Sequence, residues 1–159
     1  PPQVFAPISR NLPDHKGAAQ FIRSQNITAD DIVIAEDVLQ QTYYLGRVDY
    51  WLFSRKHARL YVQRVNGEIR DFYTRTRVID SGARLEQVLD TNPGRRIFII
   101  GSGENQKDGR RAMRALGIYE VLMSDRLEEL YVGNDGTTKV WRARPARAES
   151  EPSTSHIER

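Results

Sequence analysis

Two unbroken apolar runs mark the chain, Ile32 to Ala35 ("IVIA") and Ile97 to Ile100 ("IFII"). Four apolar residues in a row are the pattern of a strand covered on both faces, because neither side of its pleat meets water. Around them the period changes to that of helices. In "PDHKGAAQFIRSQN", Ala18, Phe21 and Ile22 share one face, joined by Ala19, and Asp14 stands at the positive end of the helix dipole. "DVLQQTYYLG" predicts a helix with Asp37 as N-cap, Gln40 at the capping-box spacing and Gly46 as the closing glycine. Leu85, Val88 and Leu89 share a face in "SGARLEQVLDTNPG", which Asn-Pro-Gly ends. "NQKDGRRAMRALG" predicts a further amphipathic helix that buries Met113 and Leu116.

Strands fill the remaining apolar positions. "VDYWLF" follows the second helix, and "YEVLMSD" reads as a short strand near the end. "ARLYVQRVNGEIRDFYTRTRV" predicts a hairpin turning at Asn66-Gly67, since both central residues of a type I′ turn need positive φ. "EELYVGNDGTTKVWRAR" predicts a closing hairpin around Asn134-Asp135-Gly136. Helices alternating with continuous apolar strands give an α/β class. The expected architecture is a three-layer, Rossmann-like sandwich, a mostly parallel sheet with helices on both faces and added β-hairpins. Its central expectation is that residues 32–35 and 97–100 lie side by side in one covered sheet.

Composition changes this picture little. The 159 residues are 39% hydrophobic and 28% charged, enough for one core, and no apolar run reaches the roughly 18 residues of a membrane span. We read residues 1–13 as a proline-rich linker, 14–145 as one domain and 146–159 as a polar tail with nothing to bury. A chain opening on Pro-Pro is expected to be cut from a longer polypeptide. With no cysteine, disulfides and thiolate chemistry are excluded. The formal charge is +3 and the sequence pI about 9.4, which favours anionic surroundings. Because acids are interspersed with the arginines, as in "RTRVIDSGARLEQVLD", a mixed solvated surface is expected and a nucleic-acid footprint is not.

Ligands of open α/β sheets sit beyond the carboxyl ends of the strands. Those ends here offer Glu36 and Asp37, then Ser54 to His57, then Gly101, Ser102, Gly103 and Glu104, then Ser124 and Asp125. Glu36 and Asp37 could hold a cation or a sugar hydroxyl, but a helix cap accounts for Asp37 without any ligand. "GSGENQ" could cradle phosphate at a glycine turn, yet Gln106 stands where a dinucleotide fingerprint needs its third glycine. His57 has no second histidine at ligand spacing, so neither a metal nor any other cofactor is expected. Ser102 lacks the G-x-S-x-G spacing of a nucleophile elbow. Tyr43, Tyr44, Tyr50 and Trp51 could stack on a sugar ring or simply cover a sheet, and Arg47 follows them. No catalytic residue is assigned.

One longer pattern remains. "DDIVIAEDVLQQTYYLGRVDYWLFS" resembles the segment that opens the soluble C-terminal domain of GT-C membrane glycosyltransferases, the dolichyl-phosphate-mannose protein mannosyltransferase-like enzymes. The matching residues are Asp31, Ile32, Val33, Ile34, Asp37, Tyr43, Tyr44, Leu45, Gly46, Arg47, Asp49 and Tyr50. "LEQVLDTNPGRRIFII" is similar to that family's next helix and strand, whereas the hairpin at Asn66-Gly67 has no counterpart we can align. The resemblance implies a parent enzyme that transfers a sugar from a polyprenyl-phosphate donor to a glycan, lipid or protein acceptor. It places this domain on the extracytoplasmic face, against the membrane portion of the same polypeptide, with catalysis residing elsewhere. The alternative from the residues alone is a stand-alone nucleotide- or anion-binding module.

Overall fold

The computed structural model describes residues 12–54, 58–102 and 107–145. Residues 1–11 and 146–159, expected as linker and tail, lie outside the described residues. Along the chain run α1 (His15–Ser24), β1 (Ile32–Ala35), α2 (Val38–Leu45), β2 (Tyr50–Leu52) and a 3-10 turn (Ala58–Tyr61). There follow β3 (Val62–Val65), β4 (Glu68–Asp71), β5 (Arg77–Ile79), α3 (Gly82–Asp90) and β6 (Ile97–Gly101). The described residues close with α4 (Lys107–Ala115), α5 (Ile118–Leu122), β7 (Leu127–Val132) and β8 (Lys139–Ala143).

All eight strands join one sheet in the order β3-β4-β5-β2-β1-β6-β8-β7. The two apolar runs are neighbours at its centre, paired in parallel from Ile32 with Ile97 through Ala35 with Ile100. Successive side chains of a strand point to opposite faces, and the core divides accordingly. Ile32, Ile34, Leu52, Ile97 and Ile99 meet Leu85 and Val88 of α3, Met113 of α4 and Ile118 and Leu122 of α5. Val33, Ala35, Phe98 and Ile100 meet Ala18 and Ile22 of α1, with Leu45 of α2 beside them. This is the expected α/β sandwich of three layers. Each large aliphatic side chain so buried stabilises by roughly 1.5–3 kcal/mol.

Parallel pairing is confined to β5, β2, β1 and β6. The hairpins β3-β4 and β7-β8 attach antiparallel on the two sides, so the sheet is mixed. The reason is chain economy: a tight turn can only return a strand antiparallel, and each wing closes through one. Asn66 and Gly67 hold φ of 50° and 83°, the positive values that the β3-β4 turn requires. β5 was not separable in the sequence from the hairpin before it, because "TRTRV" shows too few apolar positions.

The expectation of a strand in "YEVLMSD" is corrected. Residues 118–122 are helical, and Ile118, Val121 and Leu122 turn their i, i+3, i+4 stripe into the core. Short apolar runs fit both strand and buried helix, and the packing partner decides. Here α3 lies alongside. Ser124 and Asp125 therefore follow a helix and do not stand at a strand's carboxyl end.

A polar latch fastens the amino ends of the central strands. Asp31 is buried, and Arg96 grips it with two bonds, Nε to Oδ1 at 2.9 Å and Nη2 to Oδ2 at 2.6 Å. Arg96 also reaches the carbonyls of Gln25 and Asn26 beyond α1. Arg47 binds Asp49 at 2.6 Å and the carbonyls of Thr28, at 2.9 Å, and Asp31, while Asp49 accepts from the amide of Val33 at 2.8 Å. The Arg96 guanidinium holds the Asp31 carboxyl below its ordinary value of 3.8, aided by the Thr28 amide against the opposing effect of burial. A lowered pKa means that this contribution is complete above the unfolded value and disappears as pH falls through the folded one. Charge-assisted hydrogen bonds to a buried group contribute about 1.5–3 kcal/mol, so Asp31→Asn should cost on the order of 2 kcal/mol at neutral pH. Urea unfolding at neutral pH and well below pH 3.8 checks this: the two proteins should converge in acid, and equal stability at neutral pH would refute the latch.

Candidate functional site

The chain leaves β1 toward β2 on one side and returns through α3 to β6 on the other. Where right-handed crossovers diverge, their helices lie on opposite faces and a crevice opens at the carboxyl ends of the strands. A cavity of about 880 Å³ occupies that place. It falls in the range of ligand pockets, roughly 300–1,000 Å³.

Each wall follows from an element's end. Glu36 and Asp37 come from β1, Phe53 and Ser54 from β2, and Gly101 and Ser102 from β6. His15 opens α1 and Gln41 lies mid-α2. Asp108, Arg111 and Leu116 come from α4 and the residue after it, Thr138 from the approach to β8, and Arg59 from the 3-10 turn.

Glu36 extends β1 by one rung, its amide donating to the carbonyl of Ile100 at 3.1 Å. Its own carbonyl accepts from Trp51 Nε1 at 3.1 Å, and its Oε2 accepts from the amide of Ser102 at 3.2 Å. The carboxylate can lie there because position 101 is glycine. A Cβ on Gly101 would stand 2.6 Å from Glu36 Oε1. Asp37 has two tasks. Its Oδ1 accepts from the amide of Gln40 at 3.0 Å, the predicted cap, and its Oδ2 lies 3.7 Å from His15 Nε2. Both acids reach the cavity because they lie past the strand, where alternation no longer separates them.

His15 is positioned by Asp14, which caps α1 by accepting from the amide of Gly17 at 2.9 Å. Asp14 also accepts from Tyr131 Oη at 2.9 Å and from the amide of Asn134, pinning α1 to the β7-β8 hairpin. Burial works to raise the Asp14 pKa, and these hydrogen bonds outweigh it and leave it lowered. Gln41 is 0% exposed. Its Nε2 donates to the carbonyl of His15 at 3.3 Å, but its Oε1 has no hydrogen-bond partner. Arg59 and Arg111 are exposed at the rim, and neither forms an ion pair or hydrogen bond among the described residues.

Of the sequence candidates, Glu36, Asp37, Ser54, Gly101 and Ser102 gather in this cavity. Tyr43 and Tyr44 do not. Tyr43 is 82% exposed and packs edge-on against Tyr44, on the solvent side of α2. Arg47 belongs to the latch at the opposite end of the sheet. Tyr50 is buried in the core, and Trp51 meets Phe53 edge-on with ring centroids 4.8 Å apart. His57 and Gly103 lie outside the described residues. His15, Gln41, Arg59 and Arg111 were missed. For Gln41 a signal existed, since it lies three residues after Val38 and four before Leu45, a polar residue on a buried stripe. The others depend on contacts across the fold.

No group of three or more potential metal ligands occurs among the described residues, and none of their helices is long and apolar enough to cross a membrane. No protein-family model matches the chain, nor does any curated protein or solved structure.

Replacing Gly101 by alanine should displace the flexible end of Glu36 while leaving the strand intact. The amide of Ser102 then loses its acceptor, at a cost on the order of 1 kcal/mol. Hydrogen exchange should quicken at Ser102 more than at Ile99 or Ile100. Unchanged protection of Ser102 in Gly101→Ala would disprove the contact.

Proposed function

We propose that this chain is an extracytoplasmic domain of a GT-C membrane glycosyltransferase, an enzyme moving a sugar from a polyprenyl-phosphate donor to a glycan, lipid or protein acceptor. The domain acts as an accessory to the membrane portion of the same polypeptide, and no catalytic residue is assigned to it. Its partners are that membrane portion and the lipid surface.

The observation that carries the reading is an exposed apolar patch where the 3-10 turn meets the end of β4. Leu60, Tyr61, Phe72 and Tyr73 are all exposed, Leu60 by 77% and Tyr73 by 71%. The amide of Phe72 donates to the carbonyl of Tyr61 at 2.8 Å, which brings the two segments together. Beside it, Arg70, Arg75, Arg77 and Arg95 line a groove of about 480 Å³ at the amino ends of the central strands. Clustered apolar side chains on a polar domain favour a membrane or protein surface. Aromatics together with arginines suit the interface, where a basic residue near an anionic surface contributes about 1 kcal/mol.

The residues behind the family resemblance support an accessory role. Asp31, Arg47 and Asp49 form the latch, Asp37 caps α2, Gly46 ends it at φ 82°, and Tyr50 fills the core. These are fold-making tasks. Such a motif marks a scaffold, and chemistry is left to other parts of the polypeptide.

Vesicle flotation tests the surface. The chain should float with anionic vesicles at low salt and sink with neutral ones, and Phe72→Ser with Tyr73→Ser should weaken association about tenfold. Absence of flotation at low salt would remove the support. Membranes bearing the full polypeptide should transfer sugar from a polyprenyl-phosphate donor. Activity with nucleotide sugars only would overturn the assignment.

A further inference from the structure

The cleft holds chemistry that a scaffold does not need. Its inner wall offers acceptors: the carboxylates of Glu36 and Asp37, both half-buried, and the Oε1 of Gln41. The last is the telling one. A wholly buried amide oxygen without a donor costs free energy, and native proteins keep few such atoms. A donor that enters the cavity from outside the chain would satisfy it. At the rim the sign reverses, because Arg59 and Arg111 hold no carboxylate of the described residues. Guanidinium groups of this kind suit the oxygens of a phosphate, which they can bind in pairs.

Acceptors inside and free cations outside define a ligand with hydroxyl groups at one end and an anion at the other. We propose that the cleft binds a phosphorylated sugar, its hydroxyls donating to Glu36, Asp37 and Gln41 and its phosphate lying between Arg59 and Arg111. The inference rests on the cleft alone and stands whether or not the domain belongs to a membrane transferase. Two sources share this chemistry: a free sugar phosphate and the headgroup of a lipid-linked one.

Titration calorimetry and amide chemical shifts test it with glucose 1-phosphate, glucose, inorganic phosphate, and vesicles with or without a polyprenyl-phosphate glucose. Saturable binding is expected for glucose 1-phosphate or for the lipid-linked glucose, at least about tenfold tighter than for glucose or phosphate alone. Binding of the free form identifies a soluble ligand, and binding of the vesicle form only identifies the lipid headgroup. Gln41→Leu should weaken that binding about tenfold while leaving the thermal midpoint equal or higher, since it removes the orphaned oxygen. Arg111→Gln should erase the preference for the phosphorylated sugar. Failure of both forms to bind overturns the proposal. So does binding that Gln41→Leu and Arg111→Gln leave unchanged.

Discussion

The parallel pairing of β1 with β6 is the constraint from which the rest of the structure follows. Four residues of each strand run in register, and all of them are buried. A strand covered on both faces needs helices above and below it, so the three layers are a consequence of eight apolar side chains. A parallel neighbour cannot be reached by a tight turn, so the chain must cross over. Since β2 and β6 flank β1 on opposite sides, the crossovers diverge and leave a crevice above the central strands. The cavity is thus built into the pairing itself.

The two ends of that strand pair are treated differently. At the amino end, Arg96 closes on Asp31 and Arg47 on Asp49, with backbone carbonyls taking the remaining donors. Charge there is matched and local, which suits holding strands in place. At the carboxyl end Glu36 and Asp37 hold the amides of Ser102 and Gln40 at the cavity wall, while Arg59 and Arg111 stand exposed at its rim. Burying unpaired polar groups opposes folding. Among the described residues at this cavity the unpartnered groups are the buried Oε1 of Gln41 and the exposed guanidinium groups of Arg59 and Arg111, and they stand where a ligand can reach them.

Elements whose signals are local were legible in the sequence. Asp37 and Gly46 bracket α2, Asn66-Gly67 turns the first hairpin, and the two apolar runs lie where their composition put them. Three things were not legible, each for a stated reason. α5 is a five-residue apolar segment, too short for its period to choose between helix and strand, and α3 settles the matter by lying beside it. β5 is only Arg77, Val78 and Ile79, and its two buried apolar residues are too few to show a period apart from the hairpin before it. Half of the cleft comes from α1, α4 and the 3-10 turn, which only folding brings to the strand ends. Arg47 and the paired tyrosines looked like ligand residues because polar and aromatic side chains suit both solvent-facing helices and binding sites.

The two proposals meet in the orientation of the sheet. Phe72 and Tyr73 follow β4, which runs antiparallel to β5, so the apolar patch lies toward the amino end of the parallel strands. The groove of Arg70, Arg75, Arg77 and Arg95 lies at that end too, beside Ile32 and Tyr50, which begin β1 and β2. The cavity lies at the other end of the same strands. On the proposed seating, the domain rests on the bilayer by its amino-end surface, and the 3-10 turn joins the two sites, with Leu60 and Tyr61 in the patch and Arg59 at the rim of the cleft. A lipid-linked sugar would meet Arg59 first, one residue from Leu60, and Gln41 only deeper in the cleft. A free sugar phosphate, or a phosphorylated glycan extending from the acceptor, would meet the cleft directly.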